Sequence, residues 1–348
     1  MTNKSLIRKL WDYTNCTIAV GIFYNTVQTE TRERYDPMNS KTLMYILKRI
    51  VLAFLTVWVV ITVTFFVMRA VPGGPFMSEK AISETAQAAL EAKYGLDKPV
   101  PEQYLTYLKD IFTEFDFGPS LKLRGRDVID IIGDGMKVSA KLGLMAAGLA
   151  LVVGVFLGAV AALRRNKFVD KVIMVITTAF ISMPSFIMGT LLLLVFALIL
   201  ALVPANGETS QGLILPVITL SLSPMANITR LTRSSMLDVL GQDYIRTAKA
   251  KGVSGNKIIF GHALKNSLIP VITYFGPMLA YIVTGSLVVE KIFAVPGIGR
   301  TFVGSITDRD YPVIMGTTIV LATLIVIMNL VSDILYKVVD PRINLEQK

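Results

Sequence analysis

The sequence predicts an all-α polytopic membrane protein with six transmembrane helices. Of its 348 residues, 53% are hydrophobic and only 17% are charged, whereas an average soluble domain carries about 25% charged residues. Several apolar runs approach about 20 residues, the length of helix that crosses a hydrocarbon core of about 30 Å. The sequence shows no series of alternating segments of about ten residues, which a transmembrane β-barrel would require.

Three predicted spans lie in the first part of the chain. They cover residues 50–68, 139–163 and 171–203. The polar region 76–137 separates the first two spans and contains two segments with the pattern of amphipathic helices. The third span contains Pro184, and because no polar turn divides it we predict one kinked helix rather than two short ones.

The remaining predicted spans cover residues 213–228, 269–289 and 313–336. The segment 290–311, between the last two of them, has the pattern of a re-entrant segment. The final span ends before a proline in the sequence DPR, because proline cannot continue a helix.

Cationic residues predict the orientation of these spans. Six spans place both termini on one side of the membrane. Seven Lys or Arg residues lie in the loop 229–268, whereas the loop 204–212 has none. Because short cytoplasmic loops are enriched in Lys and Arg, we expect the termini and the 229–268 loop to be cytoplasmic and the 76–137 region to be extracytoplasmic. Residues 1–43 would then form an N-terminal cytoplasmic extension and residues 44–348 the transmembrane domain.

Motifs that would indicate catalysis or metal binding are missing from the sequence. It contains no GxxxxGKS/T phosphate-binding loop, no GxSxG and no HExxH. One cysteine and one histidine argue against a zinc site made only of protein ligands. We therefore expect no catalytic residue, no metal site and no cofactor bound by this chain. Cationic cytoplasmic loops explain the net charge of +10 better than nucleic-acid binding does, so no nucleic-acid partner is expected.

The sequence DYIRTAKAKGVSGNKIIFGHALKNSLIP, residues 243–270, is longer than a simple connection between two spans requires. It predicts a short helix whose small side chains let another protein surface approach closely and whose cations can meet carboxylates there. Gly252 permits a sharp reversal after this helix, and Pro270 suits the first turn of the next span. The predicted docking residues are Tyr244, Arg246, Thr247, Ala248, Lys249, Ala250, Lys251, Gly252 and Pro270.

This stretch resembles the cytoplasmic coupling loop of ABC importer permeases, to which the ATPase docks. The motif of that loop is Glu-Ala-Ala, three residues, Gly, nine residues, Ile, one residue and Leu-Pro. Here Arg246, Thr247 and Ala248 precede Gly252, and the stretch ends with Leu-Ile-Pro at 268–270. With arginine and threonine at the first two positions, it is similar to the form found in oligopeptide, dipeptide and nickel permeases.

The resemblance extends over residues 44–345 through the sequences FGPSL, SAKLG, ISMPSF, GSLVVEKIFAVPGIG and RDYPVIMG, in the order of a B-type permease subunit. It implies the ABC type I importer permease fold in a bacterial or archaeal cell membrane. It also implies a complex with a second, C-type permease, two ABC ATPase subunits that use ATP and Mg, and an extracytoplasmic substrate-binding protein. The implied function is ATP-driven import of oligopeptides or dipeptides, with this chain as a transporter subunit and not an enzyme.

Polar residues and prolines inside the predicted spans are candidates for the translocation path: Ser182, Pro184, Ser185 and Asn227. Glu290 joins them because its segment resembles a gate region near the binding protein. Polar side chains are costly inside a membrane and are often functional, although hydrogen bonding between helices is the competing explanation.

Two alternatives to peptide import stay open at this stage. The same architecture could import nickel or another small non-peptide ligand, because the binding protein largely selects the substrate. An ion-coupled carrier would be expected to show inverted repeats and ionisable residues at the midplane of the membrane, and neither is evident in the sequence.

Overall fold

A computed structural model describes residues 40–71, 74–76 and 84–339 of the chain. The predicted N-terminal extension therefore lies outside the described residues, apart from the start of the first helix. Within the described ranges the structure is helical, with one isolated β-bridge between Pro119 and Asp127. The α-helices are α1 (Ser40–Ala70), α2 (Glu84–Lys93), α3 (Val100–Glu114), α4 (Val128–Leu163), α5 (Phe168–Ser182), α6 (Ser185–Leu192), α7 (Ile214–Leu240), α8 (Asp243–Ala250), α9 (Lys265–Ser267), α10 (Ile269–Val283), α11 (Leu287–Ile292), α12 (Ile298–Asp308) and α13 (Tyr311–Val339), with π-helical segments at Leu193–Ile199 and Lys257–Leu264.

The described residues belong to two units, one that ends at residue 54 and one that begins at residue 55. The described part of the first unit is the beginning of α1. The second unit contains the remainder of α1 and all later helices, and the hydrophobic clusters named below belong to it.

Four helices in the described part of the chain are long and apolar enough to cross a membrane, and the number becomes six if each of two bent helix pairs counts as one span. The four are segments of α1, α4, α7 and α13. One bent pair is α5 with α6 and its π-helical extension, and the other is the π-helical segment before α9 with α10. The chain is therefore an all-α polytopic membrane protein, as predicted.

A helix break replaces the single kinked helix that the sequence predicts for the third span. α5 ends at Ser182, α6 begins at Ser185, and the two segments meet at 108°. Met183 has an extended backbone between them, with φ −89° and ψ 125°. The ring of Pro184 causes this conformation, because it disfavours the helical region for the residue before it. An apolar sequence without a polar turn can therefore still break at a proline.

Other predicted spans have different ends in the structure. α7 continues to Leu240 rather than ending at residue 228, and α10 ends at Val283 rather than residue 289. α7 can continue because an aspartate of α5 neutralises one of its arginines, as described below. α10 ends because Gly285 adopts φ of 93°, a conformation that interrupts a right-handed helix.

α4 packs along α7 and also contacts α10 and α12. Small residues allow a close approach of α4 to α7. A Cβ atom at Gly154 would lie 2.8 Å from the Ile228 Cγ2 atom, and a Cβ atom at Gly158 would lie 2.6 Å from the Thr229 carbonyl oxygen. Glycines spaced four residues apart are typical of membrane helices that pack closely, so these two positions set the distance between α4 and α7.

A hydrophobic cluster joins α1, α3, α4 and α13 through residues such as Phe65, Ile111 and Val128. Beside it, the Asp310 carboxylate accepts hydrogen bonds from the loop before α4, including one from the Leu121 N–H at 3.1 Å. These contacts hold the region between α3 and α4 against the helices that cross the membrane.

Candidate functional site

α8 is a short helix between the end of α7 and the segment that leads to α10. It ends in a Schellman motif, in which the Val253 N–H donates to the Ala248 carbonyl oxygen at 3.2 Å and the Gly252 N–H to the Lys249 carbonyl oxygen at 3.0 Å. Gly252 has φ of 77°, a conformation that glycine adopts without steric cost. The predicted reversal at Gly252 is therefore present, and it fixes the direction in which the chain leaves α8.

Two side chains connect α8 to the rest of the protein. Ile245 is fully buried and is the only buried residue among the eight of this helix, all of which the structure describes. The Tyr244 hydroxyl accepts a hydrogen bond from the Asn266 Nδ2 atom at 2.9 Å, which ties the helix to α9. The sequence prediction named Tyr244 but missed Ile245, although an isolated branched aliphatic residue in DYIRTAKA is a usable signal for a buried anchor.

The outward surface of α8 and its C-terminal turn consists of small and cationic side chains. Ala248 is partly buried. The exposed residues of this surface are Arg246, Thr247, Lys249, Ala250, Lys251 and Gly252. Arg246 pairs with Asp243 at 3.5 Å, but both side chains are largely exposed, so this pair contributes little to stability. Within the described ranges no group of three or more potential metal ligands is formed. The surface suits docking, because it offers cations to carboxylates and short side chains to a closely packed partner.

The segment after α8 leads back to a membrane-spanning helix. Its π-helical part packs against α8 and continues through α9 to α10, with a bend of 48° between the two arms. Pro270 is exposed in the first turn of α10, a position where its missing N–H breaks no bond within that helix. Met236 of α7, Ala263 of the π-helical part and Ala162 of α4 pack in one buried cluster. The ends of α4 and α7 therefore contact the same segment as α8.

A buried ion pair joins the start of α5 to α7, near the end of α7 that leads into α8. Arg233 donates from Nε to Asp170 Oδ1 at 2.6 Å and from Nη2 to Oδ2 at 2.7 Å, and the Asn166 N–H donates to Oδ2 at 2.8 Å. Asp170 is 2% exposed. Because a bidentate pair is geometrically specific, it couples the position of α5 to that of α7. Neither partner is among the residues predicted from the sequence, since the two residues are 63 positions apart.

Three of the predicted path residues lie together at the break between α5 and α6. Ser182 ends α5, Pro184 follows in the connection, Ser185 begins α6, and all three are exposed. Asn227 on α7 is partly buried and donates from Nδ2 to the Ser223 carbonyl oxygen at 3.1 Å. α7 packs against both α5 and α6, so the four residues belong to neighbouring helices. Their role in a path stays a prediction.

Glu290, in α11, is fully buried, and its carboxyl oxygens accept hydrogen bonds from other residues of the chain. Its Oε1 atom accepts a hydrogen bond from the Ser139 Oγ atom at 2.7 Å. Its Oε2 atom accepts from the Gly299 N–H at 2.8 Å and from the Arg300 N–H at 3.3 Å. These two N–H groups belong to the first turn of α12 and have no partner within that helix. Glu290 therefore holds the start of α12 in this structure, and its role in gating stays a prediction.

The surroundings of the Glu290 carboxyl explain how it can be buried. A Cβ atom at Gly297 would lie 2.3 Å from Oε2, so glycine is needed there for the close approach. Burial raises the pKa of Glu290, and the hydrogen bonds from Ser139 and from the start of α12 offset only part of this rise. The site therefore favours the neutral carboxyl more than water does.

Known proteins similar to this chain are transport permeases. The dipeptide transport system permease protein DppB of Bacillus subtilis (strain 168) is 50% identical over 305 residues, which cover 87% of this chain and 99% of that protein. The oligopeptide transport system permease proteins OppB of Haemophilus influenzae and Salmonella typhimurium are each 43% identical over 304 residues, covering 86% of this chain and 99% of each protein. Among solved structures, a chain of the methionine ABC transporter MetNI in an inward-facing conformation is similar, with a TM-score of 0.48, 14% identity and coverage of 61% of this chain and 97% of that chain.

Two family models match the chain. The model described as binding-protein-dependent transport system inner membrane component matches residues 154–345, and its N-terminal counterpart matches residues 42–122. The first match covers more than half of the chain and includes α8, the Asp170–Arg233 pair and Glu290. The chain therefore belongs to the family of binding-protein-dependent transport system inner membrane components, which confirms the resemblance of its sequence to ABC importer permeases.

Proposed function

We propose that this chain is the B-type permease subunit of an importer for dipeptides or oligopeptides. The relatives at 50% and 43% identity are named as dipeptide and oligopeptide permeases, and this chain matches 99% of their length. Those names favour peptides over nickel or another small non-peptide ligand as the substrate of this chain. Membership of the family argues against the ion-coupled carrier.

The exposed surface of α8 is the observation that carries the proposal. Its small and cationic residues form the site for one of two ABC ATPase subunits, which hydrolyse ATP with Mg, while this chain binds no cofactor of its own. A second, C-type permease completes the translocation path, and an extracytoplasmic binding protein delivers the peptide. The large apolar side chains exposed on α1, α4 and α5 suit contact with lipid.

The mechanism follows from the elements that contact α8. α8 follows α7 directly and packs on the segment that continues into α10, so a displacement of α8 by the ATPase moves both spans. The Arg233–Asp170 pair carries the movement of α7 to α5. α5 ends at the break that exposes Ser182 and Pro184, where a change in angle between α5 and α6 opens or narrows the path.

The proposed orientation places α8 in the cytoplasm and the region of α2 and α3 outside the cell. The support is the distribution of charge: α8 and the segment that leads from it to α10 carry five Lys or Arg, whereas the loop 204–212 carries none. Both termini are then cytoplasmic. Residues 1–43 form an extension that precedes the permease domain of residues 44–348.

The test is a pair of substitutions on α8 and its terminal turn. Ala248→Asp places a carboxylate on a partly buried position of the docking surface, and an unpaired charge buried in an interface costs about 3–5 kcal/mol. A loss of about 3 kcal/mol of binding free energy corresponds to a roughly 100-fold weaker association of the permease with the ATPase. Gly252→Leu imposes a side chain where φ is positive and so disturbs the turn that orients α8. Both should lower the amount of ATPase that co-purifies with the permease and abolish ATP-driven uptake into vesicles.

Ala205→Asp provides the matched control, because Ala205 is an exposed alanine outside the docking surface. This variant should retain the ATPase and transport normally. All variants are compared at equal abundance in the membrane. The proposal fails if Ala248→Asp protein recovers a full complement of ATPase and imports peptide at the wild-type rate.

A further inference from the structure

α7 carries two arginines, Arg230 and Arg233, whose surroundings differ. Arg233 forms the bidentate ion pair with Asp170 described above. Arg230 donates from Nη2 to the Thr178 Oγ1 atom at 2.6 Å, while its Nε atom is buried without a hydrogen-bond partner. Among the side chains that the structure describes, no carboxylate forms an ion pair with Arg230.

This arrangement leaves Arg230 without a compensating anion. A guanidinium group has five N–H donors and a permanent charge, and a threonine hydroxyl accepts one donor without neutralising that charge. Cationic side chains inside membrane spans are costly and are normally paired. Arg233 has its aspartate and Arg230 has none in the described part of the chain, so an anion that neutralises Arg230 would have to belong to another molecule.

Arg230 lies among the predicted path residues. Asn227 is three residues before it on α7, and Thr178 is four residues before Ser182 on α5, spacings that place each pair on one face of its helix. The hydrogen bond between Arg230 and Thr178 brings the two faces together. Arg230 is partly exposed, and it is the cationic member of this polar band across α5 and α7.

We propose that Arg230 binds the C-terminal carboxylate of the peptide during its passage. The inference rests on the proposed peptide import and deepens it by naming the group that is recognised. The planar fork of a guanidinium matches a carboxylate with two parallel hydrogen bonds. Every linear peptide with a free C-terminus carries this carboxylate whatever its side chains, so one arginine in the path would serve peptides of many sequences.

The experiment compares one peptide in two forms, with a free C-terminal carboxylate and with a C-terminal amide. The complete complex with its binding protein is reconstituted in liposomes, and uptake is measured at concentrations that saturate the binding protein with either form. Wild-type complex should import the free acid faster than the amide. Arg230→Gln should lower uptake of the free acid about 10–100-fold, as expected for loss of a charge-assisted pair, and should leave uptake of the amide nearly unchanged. Arg230→Lys keeps the charge but loses the planar guanidinium, so its uptake of the free acid should lie between that of the wild type and that of Arg230→Gln.

Two controls separate this role from a structural one. Arg233→Gln removes the ion pair to Asp170 and should lower uptake of both peptide forms by the same factor. If the binding protein rejects the amide, binding of both forms to the purified complex without binding protein gives the same comparison.

Three results have distinct meanings. If Arg230→Gln imports the free acid and the amide in the wild-type ratio, the inference is overturned while peptide import stands. If Arg230→Gln loses the second permease subunit on purification and both uptakes together, the carboxylate belongs to that subunit, and the inference is also overturned. If the wild-type complex imports neither form, the proposed function itself fails.

Discussion

Replacing Glu290 tests whether its buried carboxyl holds the start of α12. Glu290→Ala removes the acceptor of the Ser139 hydroxyl and of the Gly299 N–H, whose hydrogen bonds are 2.7 and 2.8 Å long. Both donors are then left in the interior without a partner. Glu290→Gln keeps an oxygen for the N–H groups of α12, and its Nε2 atom can donate to Ser139 Oγ, which already accepts from the Ile298 N–H at 3.0 Å and has a second lone pair.

The two substitutions should therefore lower the free energy of unfolding by different amounts. Each buried donor left unsatisfied costs about 1–3 kcal/mol, so Glu290→Ala should destabilise the protein by about 2–6 kcal/mol. Glu290→Gln exchanges hydrogen bonds of similar geometry and should cost less than about 1.5 kcal/mol. Glu208→Ala is the matched control, because Glu208 is exposed and a surface change of this kind stays within about 0.5 kcal/mol.

Thermal unfolding of the purified complex in detergent measures these differences as shifts of Tm. The pH dependence gives a second readout, because burial raises the pKa of Glu290. A group with a raised pKa contributes stability below its ordinary pKa, about 4.3 for glutamate, and loses that contribution as the pH rises through the raised pKa. Glu290→Gln has no such proton to lose, so its Tm should fall less than that of the wild type across this window. The reasoning is refuted if Glu290→Ala keeps the wild-type Tm, or if Glu290→Gln is as unstable as Glu290→Ala.

Two further predictions concern orientation and helix packing. In a cysteine-free background, Ser210→Cys and Arg124→Cys should react with a membrane-impermeant maleimide in intact cells and Ser254→Cys only after permeabilisation; labelling of the last in intact cells would contradict the proposed topology. Gly158→Leu should sharply lower the amount of folded protein, because even a Cβ atom there would lie 2.6 Å from α7, whereas a Cβ atom at Gly148 on the same helix would meet nothing within 4 Å, so Gly148→Leu should be tolerated. Equal yields of the two leucine variants in detergent would show that close packing of α4 on α7 is not required.

The sequence predicts the spans well because the membrane imposes one length and one composition on them. It misplaces ends where a distant contact decides them. The predicted fourth span ends at residue 228, before Arg230 and Arg233, and no local pattern shows that Asp170 neutralises one of these arginines. Pro184 indicates an irregularity in the third span, but the local sequence does not show that the two segments meet at 108°.

In the candidate site, too, the features that depend on local sequence were predictable and those that depend on distant contacts were not. The reversal at Gly252 was predictable, because glycine is the residue that favours positive φ at the end of a helix. The buried position of Ile245 depends on which face of α8 meets the rest of the protein. One hydrogen-bond partner of Glu290 is Ser139, which is 151 residues away along the chain. Its buried network could not be deduced from the neighbouring sequence, and residues inside a motif can therefore hold an element in place as well as act on a substrate.

The ion pair between Asp170 and Arg233 imposes an order of events during synthesis. Asp170 leaves the ribosome 63 residues before its partner, and at about 5–20 residues per second this interval lasts roughly 3–13 s. Throughout that time the carboxylate has no arginine of α7 with which to pair, so the bidentate contact forms only after α7 has been synthesised. The position of α5 against α7 is consequently fixed only after both helices have been synthesised, and the two helices reach their final packing together rather than in the order in which they are translated.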